Sequence, residues 1–337
     1  LKGVALPTDL PASWQPRRAG TKPERGRGDP AVGEVRLDKT GAGLSVPSGV
    51  IDQRETIRGR APPATTLLSS TMSVFLKIFE NVQDVRKMNA LFPARGLCHA
   101  LGWSTMTLHV RGAAGIRFRL AGSDINVLRQ VFVKKSYELT KYPQYPDILD
   151  AYRKILASGK VPVFVDGGAN IGASAIWFAR MFPDALLLAV EPDPDNAALC
   201  RHNCAPFEKI RVVEAALGST SGAADIIDPA AESWSMQVRR ASAGSIRIVS
   251  VPDLIASVEN GCAFGVKVDI EGFEQELFSE NTDWLDDISL LTVEPHDWMR
   301  GLEGTSITMQ KAVADQEFDM LISDDNLIYV RRQRRAA

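Results

Sequence analysis

The chain has 337 residues, 45% of them apolar, enough to bury a large core in one domain or two. A formal net charge of -2 gives no overall reason to expect a nucleic-acid partner. Its four cysteines, Cys98, Cys200, Cys204 and Cys262, form no Cys-x-x-Cys pair and suggest neither a disulfide framework nor a zinc knuckle. No window reaches the ~20 apolar residues of a membrane helix and no apolar leader opens the chain, so we expect no membrane span and a cytoplasmic setting.

Residues 1–71 hold eight of the nineteen prolines, nine glycines, a single aromatic (Trp14) and a surplus of four basic side chains. Such a stretch buries too little apolar surface to offset the entropy of ordering it, and we expect a disordered extension. Amphipathic sequence begins at Met72 (Val74, Phe75, Ile78), and the leading segment reads as lying upstream of the folded part. Residues 72–150 read as a small cap. Two helical stretches lead into alternating strands (Thr107–Val110, Ile116–Leu120), then a helix capped by Ser123-Asp124 and broken by Tyr142, Pro143, Tyr145 and Pro146.

From 151 to 337 the pattern becomes strand, turn, helix, repeated. Val163–Val165, Leu186–Val190, Ile210–Val213, Ile246–Val251, Val266–Val268 and Ser289–Val293 are short apolar runs bounded by turns. Runs of this kind separated by helices predict an α/β, doubly wound, mostly parallel sheet covered on both faces. The last segments, Glu317–Ser323 and Asn326–Arg331, predict a closing hairpin turned at Asp324-Asp325.

In such a sheet ligands bind beyond the carboxyl ends of the strands. Those ends are acidic here: Asp166, Glu191, Asp269 and Glu294. The first loop reads Asp166-Gly167-Gly168-Ala169-Asn170-Ile171-Gly172, whose glycines allow a sharp turn and close backbone approach to a ligand. A dinucleotide fingerprint would place glycine where Ala169 stands, against the pyrophosphate. Glu191 lies nineteen residues past Gly172, where a carboxylate can accept both ribose hydroxyls of an adenosine. The alternative is an ordinary strand-end acid starting a turn at Pro192. Further on, Asp269 ends a strand, and Glu271 and Glu274 are spaced to share the first turn of the next helix, where carboxylates also suit the helix dipole. Glu294-Pro295-His296 ends the neighbouring strand. Acidic neighbours raise a histidine's pKa and make His296 a candidate proton acceptor, although a lone histidine is more often structural.

Phe164–Gly172, Val190-Glu191-Pro192, Ala215-Ala216-Leu217-Gly218, Val266–Gly272 and Val293-Glu294-Pro295-His296, in that order, resemble the FkbM family of methyltransferases over residues 160–300. The resemblance implies a class I, Rossmann-like methyltransferase domain with a seven-stranded sheet. It implies transfer of methyl from S-adenosyl-L-methionine to a hydroxyl of a sugar, glycan or polyketide-like acceptor. It also implies that Asp166, Gly168, Asn170, Gly172, Glu191 and Asp269 line the cofactor site, with Gly167, Ala169, Pro192 and Ala216 beside them. The family commonly has another residue where Gly167 stands. Little matches between Ala224 and Ser245, and we expect Ser233, Trp234 and Ser235 to meet the acceptor.

Asp269, Glu271 and His296 are therefore the expected catalytic residues, chiefly for orientation and proton removal. No metal is expected, although oxygen ligands in that cluster would suit magnesium. Cys200, His202 and Cys204 do not make a metal site, because His202 points away from the other two. The Tyr137-x-x-x-Lys141 pair precedes the glycine loop rather than following it, and the Arg331, Arg332, Arg334, Arg335 run reads as a solvated tail. Two other readings stand beside this one: an NAD(P)-dependent oxidoreductase on the same fold, and a non-catalytic cofactor-binding module.

Overall fold

The computed structural model describes residues 95–110, 115–226, 238–299 and 301–332. The expected extension over 1–71, the start of the cap at 72–94, the Ser233-Trp234-Ser235 loop and the last arginines lie outside the described residues. By contacts the chain divides into Leu1–Ala61 and Pro62–Ala337, and all the elements below belong to the second.

Two strands, β1 (Thr105–His109) and β2 (Gly115–Arg119), form an antiparallel hairpin. A short helix, Asp124–Leu128, follows and widens into a π-helical turn, Arg129–Lys134, ended by left-handed Lys135. Ser123 precedes the helix but makes no side-chain cap. The acid beside it is engaged instead: Asp124 accepts from the backbone N–H of Arg119 at 2.7 Å and pairs with its guanidinium at 2.7 Å. A 13-residue helix, Tyr145–Ala157, then leads into the main sheet, with Pro146 in its first turn, where proline's missing N–H costs nothing.

Seven strands make that sheet: β3 (Val161–Gly167), β4 (Leu186–Glu191), β5 (Ile210–Glu214), β10 (Gly261–Val268), β11 (Leu290–Val293), β12 (Phe318–Ser323) and β13 (Asn326–Arg331). Their order across the sheet is β12-β13-β11-β10-β3-β4-β5. All pairs from β11 to β5 are parallel, and β13 runs antiparallel to both its neighbours. This is the expected doubly wound, mostly parallel seven-stranded sheet, closed by the hairpin. Strand order reverses between β3 and β10, and the crevice beyond their carboxyl ends is where such sheets bind ligands.

β3 and β4 are apolar on both faces because both faces are covered. Val163, Val165, Leu188 and Val266 point into one hydrophobic layer; Phe164, Leu187, Ala189 and Phe264 point into the other. The second layer is aromatic. Phe164 stacks on Phe178 at 4.3 Å between centroids, and Phe182 meets Phe264 edge-on at 4.8 Å. Leu108, Phe118 and Leu128 share this layer, so the hairpin and the sheet are built on one core.

The structure corrects one strand. Ile246–Ser250 (β9) does not continue the main sheet but joins β6 (Ala216–Gly218), β7 (Gly222–Ile226) and β8 (Val238–Ala241) in a separate four-stranded sheet. Periodicity identifies a strand but not its ladder partner. The exposed Arg247 within an otherwise buried run is the mark of a half-exposed strand rather than a central one.

Candidate active site

The backbone of the glycine loop fixes the site. Gly168 has φ +73, and a Cβ there would lie 1.7 Å from the carbonyl oxygen of Asp269. Only glycine lets the β3 and β10 ends approach this closely. Gly168 and Ala169 both donate to the carbonyl of Val190, at 2.9 and 3.0 Å, tying the turn to β4. Glu191, almost fully buried at the end of β4, holds the loop from the other side. It accepts from the N–H of Asn170 at 2.8 Å and from that of Asp193 at 3.0 Å. Burial pushes its carboxyl up to about 7 against these stabilising hydrogen bonds.

A cavity of about 310 Å³ opens above this loop. Gly168, Ala169, Asn170, Glu191, Pro192 and Ala216 line it, together with Asp269, Glu271 and His296. Three expected residues stand behind the wall instead. Gly167 is the last residue of β3. Asp166 is wholly buried, accepting from Ser174 Oγ at 2.7 Å and paired with Lys267 at 3.2 Å. Gly172 packs against the sulfurs of Cys200 and Cys204. These three shape the turn without touching the cavity.

Glu271 also departs from expectation. It is not in the first turn of a helix but in a left-handed turn (φ +54) ahead of Gly272, and the helix starts at Glu274. Glu274 Oε1 takes the N–H of Ile270 at 3.1 Å, and Gly272 at φ +91 lets the chain swing round before helix begins. The turn aims Glu271 at His296, whose Nε2 lies 3.4 Å from Glu271 Oε2 and 3.6 Å from Asp269 Oδ1. On the ring's other side Nδ1 meets Glu274 Oε1 at 2.9 Å.

Burial works against charge on His296, but Glu274, Asp269 and Glu271 outweigh it and hold its pKa up at about 9. Burial and the nearby Asp269 push Glu271 to about 8. Burial and Asp269 likewise raise Glu294 to about 7, although Gln130 Nε2 donates to it at 2.9 Å from the π-helical turn. At neutral pH the imidazole is therefore charged, and the cluster of carboxylates shares protons with it.

Sequence reasoning missed four contributors. Lys267 is buried to 1% in β10, paired with Asp166 and Asp269 and donating to the carbonyl of Gly168 at 2.9 Å. Its signal was a lysine in the middle of a valine strand, which has to bring counter-charges with it. Glu274 orients His296 from within a motif that was on view, and Trp298 stands four residues past Glu294. Gln130 carried no sequence signal.

Five carboxylates (Glu191, Asp269, Glu271, Glu294, Asp325) and two lysines (Lys134, Lys267) line the cavity beside His296. Among the described residues Asn170 Oδ1 is buried with no hydrogen-bond partner, which leaves it open to a ligand, and Glu271 Oε2 has only the His296 imidazole, at 3.4 Å. This wall fits a cation bearing hydrogen-bond donors, as S-adenosylmethionine does with its sulfonium and ammonium charges. It does not fit the two phosphates of a dinucleotide. Asp269, Glu271 and His296 each bring a ligand atom within 4.8 Å of the others, close enough to hold a metal ion.

The chain is similar in sequence to two proteins named as methyltransferases. Over 90 residues the chain is 37% identical to the 2-O-methyltransferase NoeI of Sinorhizobium fredii, covering 26% of this chain and 35% of that protein. Over 178 residues it is 29% identical to the hexuronic acid methyltransferase AglP of Haloferax volcanii, covering 51% of this chain and 71% of that one. The match thus spans about a third of NoeI. No family model matches the chain. A solved putative caffeoyl-CoA O-methyltransferase from Staphylococcus aureus overlaps 63% of this chain and 93% of its own at 12% identity, with a TM-score of 0.32, too low to carry weight.

Proposed function

We propose that the protein is an S-adenosylmethionine-dependent O-methyltransferase of the FkbM type, acting on a hydroxyl of a sugar or glycan. The observation that carries this reading is the convergence of Glu191 and Asp269 with the Gly168 turn on one acidic cavity. The likeness to two proteins named as methyltransferases, one of them for hexuronic acid, supports the chemistry and the acceptor class.

S-adenosylmethionine supplies an electrophilic methyl on a sulfonium. In this reading Glu191 accepts ribose hydroxyls, and the Gly168–Asn170 turn lies against the cofactor's chain. Asp269, held by Lys267, offers a negative charge at the strand end, where a positive sulfur is stabilised. Glu271 and His296 manage the acceptor's proton. A hydroxyl is a weak nucleophile at neutral pH, and a positioned base contributes roughly 10²–10⁴-fold. In its resting state His296 already carries a proton. With a cationic cofactor bound beside the cluster that pKa would fall, and the Glu271–His296 pair, with Glu274 holding Nδ1, would take the acceptor's proton.

Calorimetry with S-adenosylmethionine and with NADH tests the reading directly. The first should bind and the second should not. Glu191→Ala and Asp269→Ala should each weaken cofactor binding and abolish turnover. His296→Ala should lower turnover about 100-fold or more while leaving cofactor affinity nearly unchanged. NADH binding in preference to S-adenosylmethionine would return the oxidoreductase alternative.

A further inference from the structure

Trp298 lines the cavity yet is 68% exposed. Its setting is not loose. Met299 N donates to the carbonyl of His296 at 3.0 Å, and Asp297 accepts from Thr305 Oγ1 at 2.7 Å and from Ser306 N at 2.9 Å. The residues on either side of the indole are therefore pinned, and the ring is presented rather than dangling. Its centroid lies 6.3 Å from that of His296, at 45°, so it borders the end of the cavity where the proton is handled.

An apolar ring beside acceptor oxygens suits one chemical shape well. A pyranose has an apolar C–H face that can lie on an aromatic ring and a rim of hydroxyls that donate hydrogen bonds. The donors have somewhere to go: among the described residues Glu271 Oε2 accepts no hydrogen bond and has only the His296 imidazole, at 3.4 Å, and Gln130 fixes Glu294. Charge narrows the choice further. Asp269, Glu271, Glu294 and Asp325 line the cavity, and among the described residues Lys134, Lys267 and His296 are the basic side chains that line it with them. Lys267 is engaged by Asp166 and Asp269, and His296 by Glu274. A sugar carboxylate would enter against these acids, and a neutral sugar would not.

Building on the methyl-transfer reading, we infer that Trp298 is the acceptor platform and that the acceptor is an uncharged pyranoside, its ring face on the indole and its hydroxyls on Glu271 and Glu294. The acidic wall selects against a uronic acid in the same position. On this point the chain parts from its hexuronic-acid-methylating relative.

The test uses the full chain and a panel of oligosaccharides ending in a neutral hexose, a deoxyhexose or a hexuronic acid. Transfer of labelled methyl is followed with S-adenosylmethionine, and direct binding of the same sugars is followed by saturation-transfer NMR without it. Label should enter neutral ends at least about tenfold faster than uronic ends. Trp298→Ala should raise KM for the neutral acceptor by about tenfold, remove the NMR contact and leave cofactor affinity intact. Trp298→Phe, which keeps an aromatic face, should recover most of the loss. Equal or faster transfer to uronic ends would overturn the inference. So would an unchanged KM in Trp298→Ala, or a protein that binds S-adenosylmethionine but methylates none of the sugars. Failure to bind S-adenosylmethionine at all would instead sink the methyl-transfer reading, and the NMR contact would still decide the role of Trp298.

Discussion

Lys267 sits where a strand residue should be apolar, and everything within reach of its ammonium explains why it is not. Asp166 and Asp269 face it at 3.2 and 3.4 Å, and the carbonyls of Gly167 and Gly168 accept from it at 3.3 and 2.9 Å. Burial works against its charge, but the two aspartates outweigh that and hold the pKa well above the ordinary lysine value. One side chain thereby fixes the glycine turn, the buried Asp166 and the cavity-facing Asp269. Lys267→Met would leave Asp166 buried without its counter-charge. Breaking a buried pair in this way costs about 3–5 kcal/mol, which chemical denaturation would read directly. Lys267→Met/Asp166→Asn, with both charges gone, should recover a large part of that stability without recovering cofactor binding. If the double variant is no more stable than the single one, the pair is not what the lysine is there for.

Between elements, the connection that decides the site's shape is Asn203, in the helix Pro194–Cys204. Its Oδ1 accepts from the N–H of Arg117 at 2.8 Å, and its Nδ2 donates to the carbonyls of Arg117 and Ile171, both at 2.9 Å. One buried amide thus joins the N-terminal hairpin to the glycine loop. Asn203→Leu strands three backbone groups, and at about 1–3 kcal/mol for each buried group left unpaired it should destabilise severely and lower cofactor affinity. A thermal shift of only a degree or two would show that the hairpin docks through its apolar face alone. None of these pairings was legible beforehand, because a side chain's long-range partner leaves no trace in local pattern. The strands were legible: Leu186–Val190 is apolar on both faces because both are covered, and Val266–Val268 departs from that pattern only at Lys267. So were the acidic strand ends and the glycine turn, where local backbone demands dictate residue type. Glu271 was misplaced onto a helix because a three-residue spacing fits a helical turn, and only the left-handed geometry at Glu271 and Gly272 shows otherwise. The π-helical turn that delivers Gln130 to Glu294 had no signature either, since its residues would serve equally in an ordinary helix.

For the molecule as a whole, the cost of the site is a pH dependence. Glu191 is held at about 7, Glu271 at about 8, Glu294 at about 7 and His296 at about 9, each above its ordinary value. The folded chain therefore binds more protons than the unfolded chain between about pH 4.5 and 9, and its stability falls as pH rises through that range. The contribution of the three glutamates is fully present below about pH 4.5 and is lost as pH climbs through 7 to 8. That of His296 is fully present below about 6.5 and is lost through 9. The melting temperature should accordingly decline from pH 6 to 9, and Glu271→Gln or Glu294→Gln should flatten the decline by removing one of the repelling acids. A cation bound in the cavity opposes the same repulsion. The stabilisation gained from S-adenosylmethionine should thus grow with pH, and binding at pH 7.5 should release protons, seen as a heat that differs between buffers of different ionisation enthalpy. A flat melting profile with no proton release would mean that the acids do not crowd one another as their positions require, and the case for a cationic cofactor would lose its physical basis.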